Sequence, residues 1–314
     1  MTNRKVGIVG AGFVGATAAY SLTMMGTCSE IVLYDINADI AIGKAIDIEQ
    51  STCYATNSTI VTGAKEANEL SDCDIIVITA GIPRKSDMTR EDLLMINAKI
   101  MKDVIGNVKK YSPNAIIICV SNPLDIMTYV AHKMTGWDSN RIVGMAGALD
   151  SSRMAYQIKK VTGFGGADIK AMVIGDHGEN MIPDVSLSTI GGVPLNQIVS
   201  DEDMDKIIDR TKNGGAQIVK HLGTSAYYAP GRAVAVMVDA ILNDTKIVMP
   251  SSVMLNGEYG YKDVTVGVPV VLGKNGVEKI IELDLNDDLR TKFHTSVETI
   301  NSGINILKEN NFFD

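Results

Sequence analysis

The residues best placed to do chemistry sit in Gly175-Asp176-His177-Gly178-Glu179-Asn180, directly after the apolar run Ile169 to Ile174. An apolar run giving way to a glycine-flanked turn exposes His177 to a cleft, and imidazole is the side chain whose ordinary pKa suits proton exchange near neutrality. A carboxylate on its far ring nitrogen would fix the tautomer and favour the imidazolium. Asp150, in Asp150-Ser151-Ser152-Arg153, is the candidate for that partner. Three guanidinium groups accompany the pair: Arg153, and Arg84 and Arg90 in the segment 81–90 between a strand end and a helix. A planar fork binds a carboxylate by two parallel hydrogen bonds, and a loop carrying two such forks could exclude water on closing. Spacing alone leaves two readings of the arginines, one shared pocket or solvated surface charges.

These side chains need a scaffold, and the clearest part of it is residues 5–35. An apolar run meets Gly10, Gly12 and Gly15, an apolar helical stretch follows, and a second apolar run, Ile31 to Tyr34, stops on Asp35. The pattern reads strand, tight turn, helix, strand. Gly10 lets the chain turn, Gly12 lets the backbone approach a pyrophosphate, and Gly15 lets the helix pack close to the sheet. The helix start then offers free N–H groups and a positive dipole end to the anion. A carboxylate at Asp35 is placed to accept from a ribose 2′-hydroxyl and to repel a 2′-phosphate, which favours NAD over NADP. The competing reading is an ordinary glycine turn in an α/β sheet.

The alternation continues with a helix over 38–50, a strand over 59–62, a strand over 74–79, a helix over 92–110 with Leu93, Leu94, Ile96, Ile100, Val104 and Val108 inward, and a strand over 115–120. This implies parallel strands joined by crossover helices, an α/β doubly wound sheet of the Rossmann type. Ligands on such sheets sit beyond the carboxyl ends of the strands, so 10–15, 79–81 and 120–122 should face one crevice. From about 145 the pattern changes: a helix over 151–161, a strand over 169–175, an alternating strand over 185–190 with a Gly191-Gly192 turn, two helices around Ile207 to Ile218 and 233–242, a strand over 264–272 and a last helix ending near Lys308. We expect a Rossmann domain over 1–145 and an α+β substrate domain over 146–314, sharing an extensive interface.

Bulk properties narrow the function. Of 314 residues 46% are hydrophobic and 21% charged, and 29 basic against 37 acidic side chains leave a net charge of −8. That balance argues against nucleic-acid and anionic-membrane partners, so an anionic substrate must be held by a few local cations. No apolar run approaches a membrane span, and Met1 to Lys5 enters the first strand with no room for a signal peptide, so a cytoplasmic location is expected. Cys28, Cys53, Cys73 and Cys119 lie far apart, which suggests buried thiols and neither a metal site nor disulfides. His132, His221 and His294 are assigned to packing or helix faces, Met24, Met25, Met101 and Met154 to the core, and the acidic cluster 201–205 to a helix start.

Taken together, Val6-Gly-Ile-Val-Gly-Ala-Gly12, Thr79-Ala-Gly-Ile-Pro-Arg-Lys85, Ser121-Asn-Pro-Leu-Asp125, Asp150-Ser-Ser-Arg153 and Gly175-Asp-His-Gly-Glu-Asn-Met-Ile-Pro183 closely resemble the lactate and malate dehydrogenase family over the whole chain. The resemblance implies that His177 exchanges the proton, Asp150 orients it, Arg153 forks onto the substrate C1 carboxylate, Arg90 polarises the carbonyl and Asn122 hydrogen-bonds near the reacting carbon. Its cofactor-binding set here is Gly10, Ala11, Gly12, Phe13, Val14, Gly15, Asp35, Thr79, Ala80, Gly81, Asn97, Val120, Ser121 and Asn122, with NAD as cofactor and no metal. At Arg84 the lactate branch carries glutamine and the malate branch arginine, and burying a second substrate carboxylate without a cation would be costly. Ser225-Ala-Tyr-Tyr-Ala-Pro230 also looks like the malate side, in the branch nearer to lactate dehydrogenases. Where malate dehydrogenases usually read Pro-Gly, this chain has Ser86-Asp87, which alters loop stiffness and adds a negative charge beside an anion site. The expectation is a malate/oxaloacetate oxidoreductase of the tricarboxylic acid cycle, a homodimer or homotetramer. The alternatives are a lactate or broader 2-hydroxy-acid dehydrogenase, an NAD-dependent glycosidase of related fold, and a silent NAD-binding module.

Overall fold

The computed structural model describes residues 4–54, 57–83 and 88–313. The first half is a run of β-branched strands and crossover helices: β1 (Lys5–Val9), α1 (Phe13–Met25), β2 (Glu30–Tyr34), α2 (Ala38–Thr52), β3 (Ile60–Ala64), β4 (Ile75–Ile78), α3 (Arg90–Tyr111), β5 (Ile116–Cys119), α4 (Leu124–Thr135) and β6 (Ile142–Gly144). Strands of Ile and Val buried on both faces pair in parallel in the order β6-β5-β4-β1-β2-β3. In register, Val6 faces Ile31 on one side and Ile75 on the other, so β1 lies central and delivers its glycine loop to the carboxyl edge.

The second half contributes α5 (Ala146–Thr162), β7 (Ile169–Ile174), β8 (Ile182–Ile190), β9 (Val193–Pro194), α6 (Asp201–Leu222), α7 (Tyr228–Leu242), β10 (Ile247–Asn256), β11 (Lys262–Gly273), β12 (Gly276–Ile280) and α8 (Asp287–Glu309). Strands β7, β8 and β9 form a small antiparallel sheet, while β10, β11 and β12 add antiparallel strands to the large sheet, joined where Ser252 faces Gly144. The large sheet is therefore mixed and built from both halves of the chain. One core runs from Ala18 and Leu22 of α1 through Val234 and Val238 of α7 to Val266 and Val268 of β11. Among the described residues no helix is long and apolar enough to cross a membrane.

Several local expectations are corrected. The buried stripe of α3 is Leu94, Ala98, Met101, Ile105 and Val108, whereas Leu93, Ile96, Ile100 and Val104 are half-buried. The helix is rotated because it covers the sheet with one face and borders a groove with the next: Ile100 and Val104 line that groove. Helix α5 begins five residues before the expected Ser151, at Ala146, where small residues allow it to pack against β7 and β10. Helix α4 has no sequence signature because it is buried nearly all round and so shows no polar stripe. Cys53 is exposed while Cys28, Cys73 and Cys119 are buried, and Met24 lies at the surface. The 201–205 acids do open α6, capped by the Ser200 side chain.

Candidate active site

Two α5 residues and one turn residue build the candidate catalytic corner. Asp150 projects from the second turn of α5 and is 1% exposed. Its Oδ2 lies 2.7 Å from His177 Nδ1, and its Oδ1 accepts a hydrogen bond of 2.8 Å from Arg153 Nη1, one helical turn further on. With Nδ1 engaged, Nε2 is the ring atom left to exchange a proton. Burial pulls the His177 pKa down, but the Asp150 charge and hydrogen bond, with help from Asp125, outweigh burial and the opposing Arg153 charge. The net direction is upward. The arrangement therefore favours the protonated ring and keeps it oriented.

The turn carrying His177 is itself clamped. Its main-chain N–H donates to Asp125 Oδ2 at 2.8 Å, and the Ser296 hydroxyl of α8 lies 2.7 Å from the Asn180 carbonyl and 3.1 Å from Asp176 Oδ1. Burial raises the Asp176 pKa, against hydrogen bonds that lower it. His177, Arg153 and Asn122 line one cleft of about 360 Å³ together with Val14, Val120, Met145, Leu149, Lys212 and Ser225. Of the three arginines, Arg153 thus faces the cleft. Arg90 is the first residue of α3, inside the helix and not in the preceding loop as the sequence suggested. Its guanidinium is exposed and pairs at 2.8 Å with Glu179, which lines the cleft mouth. Arg84, and with it Ser86-Asp87, lies outside the described residues.

A second groove, of about 370 Å³, opens beside the first and is lined by Gly10, Gly12, Asp35, Thr79, Ala80, Gly81 and the α3 residues Ile100 and Val104. Gly10 has φ +102°, and a Cβ there would lie 2.6 Å from Thr79 Oγ1. A Cβ on Gly15 would fall 2.0 Å from the Gly10 carbonyl oxygen, whereas one on Gly12 would meet nothing within 4 Å. The turn is thus closed against the protein and open towards the groove. Gly12 caps α1 with no side-chain hydrogen bond, which leaves the helix-start N–H groups at Phe13, Val14 and Gly15 without a side-chain cap. The Asp35 carboxylate is held at the groove floor by the N–H groups of Ala11 (2.8 Å) and Asn37 (3.0 Å). An open glycine, uncapped helix donors and a fixed carboxylate fit the pyrophosphate and ribose of NAD.

The remaining candidates are placed as follows. Ser121 donates to the Ala80 carbonyl at 2.5 Å, tying the two strand ends together. Asn97 is buried, and its amide accepts from the Ile82 N–H (2.9 Å) and donates to the Asn122 carbonyl (2.7 Å), so it braces the loops behind the groove. The sequence reading gave no role to Asp125, although it quoted the motif that contains it. It also passed over Lys212, whose signal is a cation next to the Gly214-Gly215 pair that packs on Arg153. Lys44, inside the helix expected over 38–50, gave no such signal: its ammonium donates to the Ala11 carbonyl at 2.7 Å and sits 5.2 Å over the Phe13 ring.

Comparison with known proteins bears on this arrangement. Residues 4–144 match the profile of the lactate/malate dehydrogenase NAD-binding domain, and residues 147–311 that of the lactate/malate dehydrogenase alpha/beta C-terminal domain. A malate dehydrogenase of Sulfurimonas denitrificans is 54% identical over 312 residues, covering 99% of this chain and 98% of its own. One of Aliarcobacter butzleri is 50% identical over 315 residues, covering both chains completely. Among solved structures, malate dehydrogenase from Salinibacter ruber superposes with a TM-score of 0.93 at 40% identity, covering 97% of this chain and 98% of that one. Lactate dehydrogenase from Cryptosporidium parvum, complexed with lactic acid and NAD, superposes with a TM-score of 0.93 at 37% identity, covering 98% and 99%. With both halves of the chain matched in order and an NAD-shaped groove opening beside a histidine–carboxylate–arginine corner, the chain belongs to the lactate/malate dehydrogenase family.

Proposed function

We propose that this chain is an NAD-dependent malate dehydrogenase that interconverts (S)-malate and oxaloacetate. The observation that carries the reading is the Asp150 carboxylate, which holds His177 on one oxygen and Arg153 on the other within a cleft beside the cofactor groove. When bound, NAD supplies the hydride chemistry. The chain supplies position, charge and the proton. Arg153 has donors beyond its bond to Asp150 and forks onto the C1 carboxylate; Asn122 hydrogen-bonds beside the reacting carbon. His177, protonated, gives the proton from Nε2 to the ketone oxygen during reduction and takes it back during oxidation, while Asp150 keeps the ring aligned and stabilises the imidazolium. Arg90 leaves Glu179 to polarise the ketone, and Arg84 neutralises the second carboxylate. The identity of close relatives as malate dehydrogenases supports the choice of diacid.

The test is NADH oxidation with oxaloacetate and with pyruvate. Oxaloacetate is expected to be strongly preferred, and Arg84→Gln should lower its kcat/KM by about 10²-fold, the scale of a lost charge-assisted pair, while sparing pyruvate. A pyruvate preference in the wild-type protein overturns the reading in favour of a lactate dehydrogenase; cofactor binding without turnover of either acid makes the chain a silent NAD-binding module.

The same reading divides the chain into an NAD-binding domain, 1–145, and a substrate domain, 146–314, supported by the two family profiles on either side of 145–146. It places the reaction among those of the tricarboxylic acid cycle, in the cytoplasm, where the dicarboxylates and NAD are found. It also makes the enzyme a homodimer or homotetramer, supported by the exposed apolar residues Tyr20 and Met24, one helical turn apart on α1.

A further inference from the structure

Asp125 is a buried carboxylate that the proposed reaction does not use. It sits in the first turn of α4, in the same short segment as Ser121 and Asn122, and is 5% exposed. Its Oδ2 accepts the main-chain N–H of His177 at 2.8 Å, and its own carbonyl is held by the Thr265 hydroxyl of β11 at 2.6 Å. The Ser252 hydroxyl of β10 faces the carboxyl and lowers its pKa, while Oδ1 has no hydrogen-bond partner among the described residues. An amide oxygen could accept the same N–H without the cost of burying a charge. What the carboxylate adds is its negative charge, and the cation placed to benefit is the His177 imidazolium.

From this juxtaposition we infer that Asp125 is a positioning residue of the reaction: it ties the His177 turn to the segment that carries Asn122, and its charge helps to hold the proton on His177. The inference rests on the proposed function. The tie has a mechanical consequence. Asn97 braces the Asn122 carbonyl and the Ile82 amide, so the cofactor-side loops, Asn122 and the proton donor are linked through two short hydrogen-bonded steps. The separation between the reacting carbon and the proton donor is thereby set by buried groups, independently of the exposed Arg90. The charge also has a defined setting. His177 is faced by Asp150 and Arg153 from α5, Asp125 from α4, and Asp176 and Glu179 from its own turn, while Lys212 of α6 lines the same cleft. Burial pushes the Asp125 carboxyl up to about 6, opposed by the Ser252 hydroxyl, the His177 N–H and the imidazole.

The test separates charge from tether. Asp125→Asn keeps an acceptor for the His177 N–H and removes the charge; Asp125→Ala removes both. The readout is the His177 titration followed by NMR in protein labelled with ¹⁵N-histidine, the signal being identified by its loss in His177→Asn. Asp125→Asn should lower the His177 pKa by about half a pH unit or more, the scale of a nearby unit charge at protein-like dielectric. The alkaline limb of kcat/KM for oxaloacetate should move down with it, with KM for NADH unchanged. Asp125→Ala should in addition lower kcat by about 10-fold or more, the scale of a misplaced reacting group. An unmoved His177 titration in Asp125→Asn overturns the inference, and this variant decides alone if the alanine protein does not fold. If the wild-type protein turns over no 2-oxo acid, the proposed function fails, while the titration still decides whether Asp125 holds the proton.

Discussion

Burial alone would pull the His177 pKa down; the Asp150 carboxylate 2.7 Å from Nδ1 turns the net shift upward. Because the net shift is upward, oxaloacetate reduction should lose kcat/KM as the pH rises through the His177 pKa, and malate oxidation should gain it. Asp150→Asn should move both limbs to lower pH, and His177→Asn should cost about 10²- to 10⁴-fold in kcat with NADH binding retained. Steady-state pH profiles in both directions check this. The stability sign follows from the same shift: a histidine whose folded pKa exceeds its unfolded value stabilises the fold in full below the unfolded pKa. That contribution is lost as the pH rises through the folded pKa. Denaturation midpoints across that window should show the wild-type protein losing stability relative to Asp150→Asn. At this scale His177 and Asp150 were legible from residue type and motif, whereas spacing left Arg153 open between pocket and surface and only the family resemblance aimed it at the cleft. Asp125 and Lys212 were not legible, because their chemistry depends on which main chain or guanidinium they come to lie against.

At the scale of elements, the glycine turn and α1 form one unit. The Gly15 position tolerates no side chain, since a Cβ would sit 2.0 Å from the Gly10 carbonyl oxygen. Gly15→Ala must push α1 away from the β1 end and spoil the alignment of its N–H groups with the groove. The expected result is a large rise in the NADH Kd and a loss of about 1–3 kcal/mol in stability, the usual cost of overpacking, measured by fluorescence titration and chemical denaturation. The strand–turn–helix reading was available from the sequence because apolar runs and glycines at fixed offsets report local backbone needs directly. The facing of α3 was not. Its apolar residues occupy more than one stripe, and only the positions of the sheet and the cofactor groove decide that Leu94 and Ala98 go inward while Ile100 and Val104 line a cavity. Arg90 likewise belongs to the helix because Thr89 caps it, its hydroxyl accepting from the Asp92 N–H at 3.0 Å.

For the whole molecule, the large sheet is the joint between the two halves. Strands β10 to β12 extend it beyond β6, and α7 packs against α1, so the proposed domains share a core. Relative motion of the halves is therefore restricted, while Arg90 and Glu179 stay exposed at the cleft mouth. The proposed self-association belongs to this scale too. Sedimentation equilibrium should give a dimer or tetramer, and Tyr20→Lys combined with Met24→Lys should shift it towards monomer while leaving the far-ultraviolet dichroism unchanged. A wild-type monomer, or a double variant that associates as before, would remove α1 from the interface.

The sequence by itself determined the fold class and the cofactor and singled out His177 and Asp150 as a candidate pair, because glycine offsets, β-branched runs and a histidine at a strand end are requirements of local backbone geometry and side-chain chemistry. Only the tertiary structure decided that the second half completes the first half's sheet, which face of α3 is buried, and that a carboxylate from α4 holds the His177 main chain. Those facts depend on contacts between residues far apart in the chain, and neither periodicity nor motif spacing carries that information.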